Sequence, residues 1–427
     1  MMINQLYLRR QRKIIAFLLL VAGNAVFASD SIDYSQFLEG VLKTNPSIKE
    51  QESRLRAAES YLKGAKAERL PSISVSSPNS NEFDDSGRVR LTVPVYTFGR
   101  ITNQIELKSE QLRLENLKFL KQKNDVLQEA SAKYISFQRE SKILGVLLDG
   151  RTQLNHLYKR IERRKKKGYD SDTDVMSALS RIQQMDQKII DQKQKIQSLL
   201  NELKILSGIS IEEVMPINSD YFMIDANSDY ESLVVNQNLE ILISEQEYEI
   251  AKRQKRAVAL NNRPQVDAFT SQAYGGSVDR PTKLRLSLTY DMKNLGFSSW
   301  NEVEGAQFSA EASKMNIEST EQRVEIEYQR VDSEIESLNK QLESQDDIII
   351  TLDETRLSFI RQYEAGRKSL MELLNIISEL NQAKTSMVTL SNEQIENKMK
   401  KYAMSGALII SAENKTLPSQ SELFKSF

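Results

Sequence analysis

Cysteine is absent from this 427-residue chain. That excludes disulfides, thiolate metal sites, a cysteine nucleophile and a lipid-modified N-terminal cysteine. Histidine is nearly as scarce. His156 is the only one and lies inside an expected long helix, so no multi-histidine metal site can form and a His-based triad is not expected. No glycine-rich phosphate loop is present, which puts any energy source in another protein. Charge of one sign is missing too: 58 basic and 59 acidic residues leave a net −1, which gives no support to a nucleic-acid partner. Beyond the N-terminus no uninterrupted apolar run reaches the length of a membrane-spanning helix, so any membrane span must be a β-barrel. These absences argue against an enzyme, and no cofactor or metal is expected.

The N-terminus sets the expected compartment. Arg9, Arg10, Arg12 and Lys13 precede the apolar stretch Ile14 to Val21, and Ala25-Val26-Phe27-Ala28 offers small residues at a cleavage point. Residues 1–28 therefore read as a secretory signal, with Ser29 the expected mature N-terminus. A retained anchor is the competing reading, but the stretch is shorter than the roughly 20 residues that span a bilayer.

Proline placement exposes the architecture. The eight prolines leave two empty intervals, from 95 to 215 and from 282 to 417, filled mostly with good helix formers, so long helices are expected in both. Within Ile101 to Lys165 only Gly145 and Gly150 interrupt, and one continuous helix there would reach about 97 Å at 1.5 Å per residue. Ile182, Met185, Ile189, Ile196, Leu199, Leu203 and Leu206 alternate spacings of three and four, with Gln192 taking one slot. This heptad seam predicts helices packed side by side as coiled coils, and an ordinary amphipathic stripe fits it too.

The chain also repeats itself. Asn45, Ala58 and Pro71 recur as Asn238, Ala251 and Pro264, Gly99 as Gly296, and Gly168 as Gly366. A repeat this long is a duplicated half. The expected organisation is 1–28 signal, 29–215 first repeat, 216–404 second repeat and 405–427 tail. Each half carries a strand pair between helices, near 72–95 and 265–290. Val89, Leu91, Val93 and Val95 alternate with Arg88, Arg90, Thr92 and Pro94; Leu284, Leu286, Leu288 and Tyr290 alternate with Lys283, Arg285, Ser287 and Thr289. Lipid-facing and lumen-facing positions of a barrel require this pattern, and a soluble sheet with one buried face gives it equally. Four strands cannot close a barrel, so spanning strands would need several chains. Tyr96, Phe98, Phe297 and Trp300 lie at the strand ends, where an interfacial aromatic belt would sit or where ordinary packing would place them.

Together these features resemble the TolC family of outer-membrane efflux and type I secretion proteins. The resemblance rests on QYEAGRKSLMELL from Gln362 to Leu374, KKGYDSDTDVMSAL from Lys166 to Leu179, the strand exits TFGR at Thr97 and NLG at Asn294, NPSI at Asn45 and NLEI at Asn238. It implies a mainly α fold with a small β part: a long α-helical coiled-coil barrel and a β-barrel shared between subunits, four strands per chain in a homotrimer. It also implies an outer-membrane location reaching into the periplasm, with a periplasmic adaptor (membrane fusion) protein and an inner-membrane ABC transporter or proton-driven pump as partners. The QYEAGRKSL form and the missing lipidation cysteine lean towards type I secretion. A non-channel periplasmic or surface coiled-coil protein is the alternative reading.

The resemblance further assigns residues. Glu372, just after the tip glycine of the second half, matches an acidic position of the periplasmic gate; Asn375 stands where the family has a second carboxylate. Three subunits would present one ring of three Glu, which would favour cations. Asp174, Tyr363 and Lys368 match positions of a tip latch, in which a Lys368–Asp174 pair would sit beside the Tyr363 phenol, and Gly168 and Gly366 match the tip glycines. Each of these charged residues also reads as ordinary helix-surface charge. Arg163, Arg164, Lys165, Lys166 and Lys167 form five consecutive cations, either a docking patch for a partner or a solvated helix end whose cations face the carbonyl terminus.

Overall fold

A computed structural model describes residues 31–76, 87–211, 213–217, 219–222, 238–274, 283–290 and 297–413. The proposed signal at 1–28, the strand exit at Asn294, Gly296 and residues 414–427 of the expected tail lie outside these residues. In chain order the first half contains β1 (Ser31–Ile32), α1 (Tyr34–Thr44), α2 (Pro46–Ala67), β2 (Ser72–Ser76), β3 (Gly87–Tyr96), α3 (Arg100–Lys165), α4 (Asp172–Ser207) and β4 (Glu213–Val214). The second contains a 3-10 turn (Ser219–Phe222), α5 (Leu239–Asn261), β5 (Gln265–Tyr274), β6 (Arg285–Thr289), α6 (Phe297–Glu364) and α7 (Leu370–Met404), and α8 (Ala407–Glu413) follows in the expected tail.

The two halves use the same local devices. Asn45 accepts from the amides of Ser47 and Ile48 to cap α2, whose first residue is Pro46; Asn238 accepts from Glu240 to cap α5. A proline at the first helical position loses no bond, because that amide has no helical partner. The long helices α3 and α6 run for 66 and 68 residues, roughly 100 Å each at 1.5 Å per residue. Both end at a left-handed glycine, Gly168 (φ +79°) and Gly366 (φ +72°). There the chain reverses into α4 and α7, and only glycine takes that conformation without a Cβ penalty.

The seam on α4 faces inward. Ile182, Met185, Ile189 and Leu203 are buried, and Ile196, Leu199 and Leu206 are half-buried. Gln192 is buried in the same row: its amide donates to the main-chain carbonyl of Glu140 at 2.9 Å and to that residue's carboxylate at 2.7 Å. On α5, Gln246 makes the same pair of bonds to Glu110, at 3.1 and 2.9 Å. A carboxylate taken from water costs several kcal/mol unless it is paired, so these two donors, together with Arg113 on Glu110 and Arg139 on Glu140, let α3 keep acidic residues inside the bundle. Around its middle the bundle is girdled by α1, whose Phe37, Leu38 and Val41 are fully buried, with Tyr134 and Leu127 of α3. Tyr134 donates to the carbonyl of Met215 at 2.7 Å, and β1 pairs with β4 in parallel beside it.

At the other end of the long helices β2, β3, β5 and β6 form one antiparallel sheet in the order β2-β3-β5-β6. The register puts Ile73 opposite Leu91, Val75 opposite Val89, Val93 opposite Ala268, and Ala268 opposite Leu286. One face is therefore apolar apart from Thr270 and Gln272 on β5, and it is uncovered: Ile73 is 70%, Val75 76%, Leu286 72% and Leu288 69% exposed. The other face carries Ser72, Ser74, Arg88, Arg90, Thr92, Asp267, Ser271 and Arg285. Within the described residues the outer edges of β2 and β6 have no strand partner. No described helix is long and apolar enough to cross a membrane.

Candidate gate where the two helical hairpins meet

The α3–α4 and α6–α7 hairpins turn at the same end of the molecule and share an apolar core. Leu157 and Ile161 of α3, Ala178 and Ile182 of α4, and Leu370, Leu373, Leu374 and Ile377 of α7 are buried together, with Tyr363 among them. This core fixes the polar groups that lie over it.

Tyr363 reaches across the hairpins. Its hydroxyl donates to Asp170 Oδ2 at 2.8 Å, while Arg164 donates through Nε to both oxygens of the same carboxylate, at 3.0 and 3.2 Å. The guanidinium lies 4.8 Å from the centre of the Tyr363 ring, and its Nη1 donates to the Glu364 carbonyl at 3.0 Å. Arg160 forms a second bridge between hairpins, to the Glu364 carboxylate. The Asp170 side chain is only 5% exposed, so its charge is held by two donors in a largely desolvated place, where bonds to an ionised group are worth about 1.5–3 kcal/mol. Burial, and then the Asp170 carboxylate beside it, raises the Tyr363 phenol above its ordinary range. The hydroxyl therefore stays protonated, as a donor, at neutral pH.

The expected pairing of Lys368 with Asp174 is corrected here. Asp174 caps its own helix: Ser171 donates to its carboxylate through the main-chain amide at 2.9 Å and through the hydroxyl at 2.7 Å, and the Asp174 amide donates back to Ser171 Oγ at 3.1 Å. Such a reciprocal box uses up the acid that was expected to bridge. Lys368 instead donates to Glu372 Oε1 at 2.6 Å on the same side of α7. Sequence reasoning missed Asp170. In Tyr-Asp-Ser-Asp-Thr-Asp, at 169–174, three carboxylates alternate, and only the turn geometry at Gly168 decides which one faces the second hairpin.

Glu372 mirrors Asp174. Ser369 donates to it from its amide and its hydroxyl, each at 3.0 Å, and its own amide donates to Ser369 Oγ at 3.3 Å. The Lys368 ammonium, followed by these Ser369 donors, lowers its carboxyl to about 2. The expected ring of bare carboxylates is thus, in each chain, a paired Lys368–Glu372 couple. Glu372 and Asn375 share the exposed face of α7, one turn apart.

The five-cation run divides. Arg164 turns inward, as described, and Lys165 pairs with Asp172 on the far side of the turn. Arg163, Lys166 and Lys167 remain exposed, with Arg163 donating to the Lys159 carbonyl of its own helix at 3.3 Å. At the opposite end of the long helices Phe297 and Trp300 are 74% and 76% exposed, and Tyr96 stacks edge-on against Phe98 at 4.5 Å. No group of acids or histidine suited to a metal ion exists among the described residues.

Comparison with known proteins bears on what this arrangement is. Residues 38–208 match the sequence profile of the outer membrane efflux protein family. No curated protein is significantly similar in sequence. The fold resembles that of CusC, whose structures are described in terms of folding and transmembrane channel formation (TM-score 0.77, 16% identity, 88% of this chain and 93% of that one). It also resembles the outer membrane protein VceC of Vibrio cholerae (0.74, 15%, 87% and 96%). The CmeC outer membrane channel of Campylobacter jejuni is similar to the same degree (0.74, 12%, 90% and 90%). At these identities the likeness is one of fold. The chain is thus similar to outer membrane efflux proteins in sequence over residues 38–208, and it shares its fold with CusC, VceC and CmeC over most of its length.

Proposed function

We propose that the chain is the outer-membrane subunit of a tripartite export system, three copies of which close one β-barrel and one helical tunnel through the periplasm. One observation carries this reading: a four-stranded sheet with an uncovered apolar face and two open edges. Because each neighbour along β2-β3-β5-β6 is antiparallel, β2 and β6 run in opposite directions. β6 of one chain can therefore pair antiparallel with β2 of the next, and three chains of four strands give an all-antiparallel barrel of twelve. Closure removes the open edges, and lipid covers the apolar face.

The hairpin end then lies at the periplasmic entrance, held shut by Tyr363–Asp170–Arg164 in each chain. A periplasmic adaptor protein would dock there, with exposed Arg163, Lys166 and Lys167 offering it a cationic rim. An inner-membrane ABC transporter or proton-driven pump would supply the energy; this chain performs no chemistry. The test is assembly and conductance. Full-length protein extracted in detergent should be a trimer by light scattering after subtraction of the detergent mass, and should conduct in a planar bilayer. A folded monomer with no larger species overturns the reading.

A further inference from the structure

We propose that the polar face of the sheet is an anion-selecting stretch of the pathway, which takes polyanionic or acidic solutes. The inference rests on the shared barrel proposed above, in which this face lines the lumen. Arg88, Arg90 and Arg285 project from it, all three are exposed, and among the described residues none forms an ion pair. Their neighbours across the strands are neutral. Arg88 stands opposite Ser76, and Arg90 stands between Ser74 on β2 and Ser271 on β5. Phe269 lies between two of the cations: the Arg90 guanidinium is 5.1 Å from its ring centre, and Arg285 is its direct partner on β6. Stacking on an aromatic face steadies a guanidinium without neutralising it.

The described face holds one carboxylate, Asp267, which lies toward the helical end opposite Pro94 and accepts from Gln265 Nε2 at 2.6 Å. The cations lie further out along the strands. Three chains would thus bring nine guanidiniums and three displaced carboxylates to one narrow aqueous passage. Rings of Arg or Lys select anions in pores, and charge of one sign between low-dielectric walls concentrates its counter-ions. At the other end of the pathway Lys368 offsets Glu372 at 2.6 Å, so the entrance sets no strong opposing preference.

The probe is inositol hexakisphosphate, applied to single channels of the full-length protein first from one side and then from the other. Low ionic strength is used, because exposed charges are screened beyond about 10 Å at 0.1 M salt. The expected result is concentration-dependent block from one side only, weakened at least tenfold in Arg88→Ser/Arg90→Ser/Arg285→Ser and retained in the corresponding triple Lys variant. The tetracation spermine should not block from that side. A conducting trimer that the polyanion leaves open, or that it blocks equally with and without the three arginines, overturns this inference alone. Absence of any conducting trimer overturns the channel reading and this inference together.

Discussion

Lys368, just before the N-cap of α7, holds the carboxylate of Glu372 in that helix's first turn at 2.6 Å. The residue expected to give the periplasmic entrance its negative charge therefore carries its own counter-ion. In the proposed trimer, removal of Lys368 should uncover what removal of Glu372 would abolish. Lys368→Ala should move the reversal potential in a salt gradient toward cations, and Glu372→Gln should move it the other way. Linkage fixes the pH range. The folded carboxyl, at about 2, lies below its ordinary 4.5. Its contribution is therefore present above pH 4.5 and lost as pH falls through about 2. Selectivity due to Glu372 should not titrate between pH 7 and 5. A midpoint in that interval, absent from Glu372→Gln, would refute the assignment.

Tyr363, Asp170 and Arg164 make the tie between hairpins. Tyr363→Phe removes one donor to a largely buried carboxylate and should loosen the tip by roughly 1–2 kcal/mol. Asp170→Asn, which also weakens the hold on Arg164, should act more strongly. Basal single-channel conductance should rise in both variants and rise most in the double variant. Lys368→Ala with Asp174→Ala removes a helix cap and an intrahelical pair, yet it leaves the tie intact. Its open probability should stay near wild type, and an increase matching that of the Asp170 variants would sink the assignment.

Two glycines on α3 should respond in opposite directions to one substitution. A Cβ on Gly150 would come within 2.7–2.9 Å of the Asn381 side-chain amide, whereas one on Gly145 would meet nothing within 4 Å. Gly145→Ala should stabilise by about 0.5–1 kcal/mol, the helical advantage of alanine. Gly150→Ala should destabilise by about 1–3 kcal/mol through overpacking, with much of the loss recovered by Asn381→Ala in the double variant. Thermal unfolding in detergent separates the three outcomes, and equal shifts at the two glycines would show that the close approach has no energetic weight.

The parts of the fold most legible in the sequence were those written in backbone chemistry. Proline-free stretches gave α3 and α6, repeated Gly168 and Gly366 marked the reversals, and the alternation from Val89 to Val95 gave a strand with its faces assigned. Side-chain partnership across the bundle was much less legible. Gln192 read as a gap in an apolar seam, but it is a donor to Glu140, because the carboxylate that needs it lies on another helix 52 residues away. The pairing at the latch was legible only in part, for a related reason. Tyr363 was found, but its partner is set by the rotation of the turn after Gly168, and Asp174 serves its own helix start, which sequence spacing alone also allows.

The open edges of β2 and β6 bear on timing. A helical hairpin completes its hydrogen bonds within one chain and can form in water as soon as that chain is free. In the proposed trimer the sheet cannot: its last backbone partners belong to other molecules, so its formation is second or higher order in protein and depends on concentration. Until then each chain displays a sticky strand at either end of an oily patch, the combination most prone to wrong pairing. Slow encounter between chains, not slow helix formation, should then set the pace at which mature pores accumulate. Whatever holds nascent chains apart in the meantime would have to shield this small corner of the molecule and could leave the long coiled coil bare.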